Sequence, residues 1–390
     1  MAKVIGCPST SFNDYVTPLG SCQWTPFTFA ARGADSDGIV DRTDAPTEIT
    51  VFGSRVEEMT GEIGNPAWTW TDWAPIQSSS PDPRTGMRVL MLRALVPSGQ
   101  TICFANSQLR SITGNVALNR DFDLFIGGIK FDYDMVTNPG DAASHPTQVW
   151  LDNQLTTGSL FPIVQFLTRN AGIVGATTGD SHHQGTSTTD QFTNYLYRAT
   201  AKLGSRYIGH VPFGMVNCAV GGLTSAQFFC RMETLLPLIQ PTYVILPGWT
   251  FNDRSGSVHA DRLAVGRFMA RLLQMADLCE RSGVLPIFLT PFPRNAEAMS
   301  PIQVEPWREQ RSRILGLRSS GAIVVDAGAR LGHVEAGEAE GTYQPGMSDD
   351  GAHPNDEGHA VIAADLVYYT FGSNRWALTQ TASQHSSDRS

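Results

Sequence analysis

Two segments far apart in this 390-residue chain hold the residue types of a nucleophile and of its base. The first is Gly179-Asp180-Ser181-His182-His183-Gln184-Gly185, directly behind the apolar run Ile173-Val174-Gly175-Ala176. A serine at a strand-to-helix turn exposes its Oγ and keeps its N–H near the positive end of a helix. Both features suit a group that attacks a carbonyl and then holds the oxyanion that forms. The second segment is Asp349-Asp350-Gly351-Ala352-His353-Pro354-Asn355-Asp356-Glu357-Gly358-His359. A serine needs a base to take its proton, and the base needs a carboxylate to fix its tautomer and stabilise the imidazolium. Asp350 and His353 stand three apart in a Gly-containing turn, a spacing that lets the carboxylate fold onto Nδ1 and leaves Nε2 for Ser181. Each segment also has a plainer reading: Gly-Asp-Ser is an ordinary turn and N-cap, and Asn355 or Asp356 can cap a helix. His182 and His183 are rival bases by proximity in sequence, but adjacent residues seldom project to one point. His359 falls inside the expected helix and reads as structural.

Two intermediate segments offer donors for a developing oxyanion. Asn217-Cys218-Ala219-Val220-Gly221-Gly222-Leu223-Thr224 places the N–H of Gly222 in a loop before a helix. Gly248-Trp249-Thr250-Phe251-Asn252-Asp253 follows the run Tyr243-Val244-Ile245-Leu246 and offers the Asn252 amide. The N–H groups of Ser181 and Gly222 with the Asn252 amide would form a hole of three donors, each worth about 2.7–4 kcal/mol in a transition state. Trp249, Phe251 and His182 are candidates for lining a substrate pocket; Trp249 and Phe251 read equally well as core beneath the loop.

Taken in order, the four segments resemble the successive blocks of the SGNH/GDSL hydrolase superfamily over about residues 170–375. Gly179-Asp180-Ser181 with Gly185, Asn217 with Gly222 and Thr224, Asn252-Asp253, and Asp350-Gly351-Ala352-His353-Pro354-Asn355 carry the resemblance. It implies a flavodoxin-like three-layer α/β/α fold and hydrolysis of esters through an acyl-enzyme, with no metal or cofactor. In the family's pattern Ser181 is the nucleophile, Asp350 and His353 complete the triad, and Gly222 and Asn252 serve the oxyanion. Thr250 stands where the family usually has Gly, and Ala219 where Gly is common. Some carbohydrate esterases of this type carry an N-terminal β-sandwich, which makes deacetylation of a saccharide the first expectation. Action on simple acyl esters, as in a lipase or arylesterase, acyl transfer, and a non-catalytic carbohydrate-binding role are the alternatives.

The elements that must position these residues follow from periodicity. The runs at 173–176, 243–246, 285–289 and 322–325 read as buried strands, alternating with helices over Thr189–Leu203, His259–Arg281 and Gly358–Tyr369. Such alternation means a mainly parallel sheet covered on both faces, with reactive groups at the carboxyl ends of its strands. Along His259–Arg281, Leu263, Phe268, Leu272, Leu273 and Met275 are expected to form the apolar stripe. Residues 1–165 differ: short β-like runs at 48–53, 87–92 and 100–104 are separated by turn residues, as in a β-sandwich or jelly-roll module. The catalytic region is expected over 166–378, and the apolar-poor residues 379–390 read as a disordered tail. Trp68, Trp70 and Trp73 fit either sugar stacking or a packed core.

Net charge is −9, from 37 acidic and 28 basic residues, and no Lys/Arg cluster points to nucleic acid or an anionic membrane. No apolar run approaches the roughly 20 residues that span a bilayer, and no apolar stretch of signal-peptide type follows Met1. Localisation stays open between cytoplasm and export with a leader removed. The six cysteines, Cys7, Cys22, Cys103, Cys218, Cys230 and Cys279, form no CxxC pair, which argues against structural zinc; Cys7 with Cys22 is a candidate disulfide. The expected partner is a small-molecule or saccharide ester.

Overall fold

The computed structural model describes residues 2–6, 25–32, 47–48, 69–70, 72–73, 89–95, 163–166, 173–189, 193–206, 213–219, 221–254, 258–295 and 301–371. The chain divides into two compact units, Met1–Arg169 and Asn170–Ser390.

In the first unit six strands are described: β1 (Ala2–Gly6), β2 (Thr25–Arg32), β3 (Thr47–Glu48), β4 (Thr69–Trp70), β5 (Val89–Leu95) and β6 (Ile163–Phe166). They form two antiparallel sheets of three strands, ordered β4-β1-β6 and β3-β2-β5. The face-to-face packing of a sandwich, the run at 100–104, Trp68 and the tail at 379–390 lie outside the described residues. So do Cys7, Cys22 and Cys103, whereas Cys218, Cys230 and Cys279 are in no disulfide.

The second unit is built on five parallel strands: β7 (Ile173–Thr177), β8 (Phe213–Asn217), β9 (Tyr243–Leu246), β10 (Leu285–Leu289) and β11 (Ile323–Val325). Their order, β8-β7-β9-β10-β11, is that of a flavodoxin-like doubly wound sheet, whose winding reverses between β7 and β9. Its helices are α1 (Ser181–Gln184), α2 (Tyr195–Arg206), α3 (Ser225–Ile239), α4 (Val258–Arg281), α5 (Pro301–Gly316), α6 (Ala327–Leu331) and α7 (Asp356–Phe371). Helices α2 and α7 pack together, while α3, α4 and α5 pack in succession. Right-handed crossovers place those two groups on opposite faces. Every residue of β9 and β11 is buried, as a sheet covered on both sides requires. No helix among the described residues is long and apolar enough to cross a membrane.

Two expectations are corrected. Helix α2 begins at Tyr195 rather than Thr189 because the preceding residues are spent on capping. Asn194 Oδ1 accepts from Leu196 N–H, and the hydroxyls of Thr189 and Thr193 bind Asp356. On α4, Phe268, Leu272 and Met275 are buried, but Leu263 and Leu273 are 54% and 46% exposed. Both lie five residues from Phe268, about 500° of helical rotation and so about 140° from the buried face. Val265, Met269, Ala276 and Cys279 complete the stripe instead.

Candidate active site

The turn that carries Ser181 is shaped by its own sequence. Gly179 adopts φ +149°, and a β-carbon there would stand 2.4 Å from the His183 ring, so only glycine fits. Asp180 then caps α1, its Oδ1 accepting from His182 N–H at 3.0 Å and from the His182 ring Nδ1 at 2.9 Å. Ser181 is the first helical residue and is half-buried. Burial raises the Asp180 carboxyl, but the charge of and hydrogen bond from His182, with His183 and the Thr250 hydroxyl, outweigh it and hold the group well below the carboxylate range.

Although 172 residues separate them, Ser181 Oγ lies 2.8 Å from His353 Nε2. His353 Nδ1 lies 2.7 Å from Asp350 Oδ2. The other carboxylate oxygen, Oδ1, accepts from the N–H groups of Ala352 at 2.8 Å and His353 at 2.7 Å, while Ser187 Oγ donates to Oδ2 at 3.0 Å. Burial works to raise the Asp350 carboxyl, yet these hydrogen bonds, led by that of the His353 ring, hold it far below the usual range. Ionised Asp350 only accepts, so Nδ1 of neutral His353 carries the ring proton and Nε2 presents its lone pair to Ser181. Burial depresses the His353 pKa below 6.5; the Asp350 hydrogen bond opposes this, and the nearby charge of His182 adds to it. At Gly351, φ is +71° and the Asn295 side chain would meet a β-carbon at 2.7 Å, so the loop that carries Asp350 and His353 closes onto Asn295. Asn355 Oδ1 accepts from Gly358 N–H and caps α7, which fixes the far side of that loop.

The expected oxyanion loops reach the same point. A β-carbon on Gly221 would stand 3.7 Å from Ser181 Cβ, and Gly221 N–H donates to Gln184 Oε1 at 2.6 Å. Gly222 follows, exposed, at φ +81°. Asn252 is exposed; one amide hydrogen goes to Leu223 O at 2.9 Å, leaving the other for a ligand. The Ser181, Gly222 and Asn252 segments thus converge, Asn252 being tied to the residue after Gly222.

Of the pocket candidates, Trp249 is buried with its ring 5.8 Å from that of Phe268 on α4, a core position. Phe251 is buried beside the site, 6.0 Å from the His182 ring. His182 is buried with its ring 4.9 Å from that of His353, and its Nε2 has no hydrogen-bond partner among the described residues. His183 does not reach Ser181 as a base: its Nδ1 meets the Tyr195 hydroxyl at 2.9 Å. Burial first, then the charge of His182, lowers its pKa to about 4 against the pull of Asp180. His359 is fully buried and stacked on Tyr195, where burial lowers its pKa to about 3.

Several residues here escape the motif reading. Thr250, fully buried, donates to Asp180 Oδ2 at 2.7 Å and accepts from Asn252 N–H at 3.2 Å. It therefore joins the Ser181 turn to the Asn252 loop, and its departure from the expected glycine was the one signal for it. Gln184 and Ser187 act through contacts that no sequence spacing announces. Asp253 holds the start of α3 through Ser225 N–H. Among the described residues no group of three or more His, Cys, Asp or Glu could hold a metal ion.

No family model and no curated protein matches the chain. Among solved structures, it is similar to Axe2, an acetylxylan esterase from Geobacillus stearothermophilus, at 18% identity and TM-score 0.40, covering 52% of this chain and 96% of that one. It is also similar to a GDSL-like lipase from Bacteroides thetaiotaomicron, at 15% identity and TM-score 0.37, covering 53% and 88% respectively.

Proposed function

We propose that this chain is a serine hydrolase of the SGNH/GDSL type that cleaves carboxylic esters through an acyl-enzyme. The observation that carries the reading is the unbroken relay from Ser181 Oγ through His353 to Asp350, with contacts of 2.8 and 2.7 Å. His353 Nε2 takes the serine proton as Oγ attacks the ester carbonyl. Asp350 stays ionised and stabilises the imidazolium. The tetrahedral oxyanion is met by the N–H groups of Ser181 and Gly222 and by the second amide hydrogen of Asn252. His353 then protonates the leaving alcohol, and a water molecule repeats the sequence to free the acid. No metal or cofactor has a part in these steps.

Within that class, O-deacetylation of a saccharide is the reading to test first. The first unit is proposed as an accessory β-sandwich over residues 1–165, and Trp73, 39% exposed, offers indole surface of the kind that stacks on sugars. Residues 166–378 would be the catalytic region. The test is release of p-nitrophenol from acetyl, butyryl and octanoyl esters, with acetylated xylan alongside, in wild type and Ser181→Ala. Activity confined to acetyl esters and the xylan, and abolished by the substitution, supports deacetylation; activity rising with acyl length supports the lipase reading. Turnover surviving in Ser181→Ala overturns the mechanism.

A further inference from the structure

Arg294 is a cation near the triad residues that pairs with no anion among the described residues. It follows β10 and precedes Asn295, the residue onto which Gly351 of the triad loop closes. Its guanidinium carbon lies 5.0 Å from the centre of the Phe251 ring, and that ring neighbours His182, which in turn neighbours His353. The side chain thus stands between the triad loop and the Asn252 loop. Its Nε is buried without a hydrogen-bond partner, and among the described residues no carboxylate pairs with it. The two acids whose charges reach it are committed elsewhere. Asp350 is filled by His353, Ala352, Ser187 and Ser348, and Asp180 by His182 and Thr250. Burial, then the like charge of Arg254, depresses the Arg294 pKa, while Tyr343, Asp180 and Asp350 oppose the shift.

A guanidinium is a cation at any ordinary pH, and this one is half-buried, its Nε withdrawn from water at a cost that no counter-charge among the described residues offsets. A ligand oxyanion that paired with it would recover that cost, and the planar fork of donors matches a carboxylate. We infer that Arg294 forms an anion subsite beside Ser181, so that the preferred ester carries a carboxylate or similar oxyanion close to its scissile bond. This inference rests on the ester-hydrolase reading for its substrate, though not for the anion site itself. The charge can lie on the acyl or on the alcohol part, since Arg294 borders both loops.

The test compares kcat/KM for two matched pairs of esters in the full chain. Phenyl acetate against 3-acetoxybenzoate places the charge on the alcohol. p-Nitrophenyl butyrate against p-nitrophenyl hemisuccinate places it on the acyl group. Wild type is expected to favour the charged member of one pair, and Arg294→Gln to lower that charged-to-neutral ratio by about 10- to 100-fold, as for a lost hydrogen bond to a charged group. Arg294→Lys, which keeps the cation but not the fork, should retain part of the ratio. A ratio unchanged in Arg294→Gln, even with both rates reduced, overturns the inference and leaves Arg294 an electrostatic support for Asp350 and Asp180. Calorimetric binding of benzoate to wild type and Arg294→Gln separates the two layers. Arg294-dependent benzoate binding without hydrolysis of any ester would retire the hydrolase reading alone. Hydrolysis with neither benzoate binding nor a ratio that depends on Arg294 would retire the anion site alone.

Discussion

Replacing Thr250 by valine removes one hydroxyl and leaves the shape of the side chain nearly unchanged. At the centre of the site that hydroxyl donates to Asp180 Oδ2 at 2.7 Å, with Leu223 O at a longer 3.4 Å, and accepts from Asn252 N–H at 3.2 Å. Thr250 and Asp180 are 0% and 1% exposed, so no solvent replaces the lost donor. A hydrogen bond to a buried charge is worth about 1.5–3 kcal/mol, which sets the expected loss in folding stability. The catalytic loss is bounded separately. Removing an oxyanion donor outright costs about 2.7–4 kcal/mol, or roughly 10²- to 10³-fold in kcat. Thr250 positions Asn252 and does not replace it, so kcat is expected to fall by about 10- to 100-fold, inside that bound. KM should change little, because the interaction forms only in the transition state. Thr250→Ser keeps both contacts and should recover most of the rate. Steady-state hydrolysis of p-nitrophenyl acetate, with a thermal melt of each variant, reads both effects. A valine variant with wild-type kcat, or a serine variant no better than valine, would refute the link between the two loops.

Further outcomes follow from the same geometry. Because the His353 pKa is depressed below 6.5, kcat/KM should hold to lower pH than an ordinary histidine allows and fall through a midpoint below 6.5. Removing His182, whose charge pushes in that direction, should move the midpoint upward in His182→Asn, and a midpoint that fails to rise contradicts the assignment. Asp350→Asn should lower kcat by roughly 10⁴-fold, since the amide favours the wrong tautomer of His353; stopped or steady-state kinetics suffice to see it. His183 and His359 stay neutral in the folded chain, with pKa values of about 4 and 3, whereas the unfolded chain binds those protons near 6.5. Stability should therefore fall between pH 7 and pH 5, by on the order of 2 kcal/mol for each histidine. Urea unfolding at the two pH values checks this, and His359→Asn, which keeps an acceptor for Tyr195 N–H, should weaken the pH dependence.

The parts of this molecule that were legible in the sequence are those set by local pattern. The strands at 173–176, 243–246 and 285–289 are short apolar runs, and the structure extends only the first, to Thr177. Ser181, Asp350 and His353 could be paired because a triad demands three residue types, each behind a turn. What stayed hidden depends on tertiary contact. Helix α5 carries charged residues around most of its surface and prolines at 301 and 306, so no apolar stripe announces it. Leu263 and Leu273 are apolar but face outward, which periodicity alone could not exclude. Thr250, Gln184 and Ser187 work through partners tens of residues away, and Arg294 became informative only when its lack of a partner could be seen.

The central claim is that Ser181 Oγ is the nucleophile activated by His353. Treating the protein with a fluorophosphonate ester analogue and mapping the modified peptide by mass spectrometry tests it most directly. One phosphonyl group on Ser181, absent in Ser181→Ala and strongly slowed in His353→Ala, is the expected result. Labelling at another residue, or labelling that persists in Ser181→Ala, would contradict it.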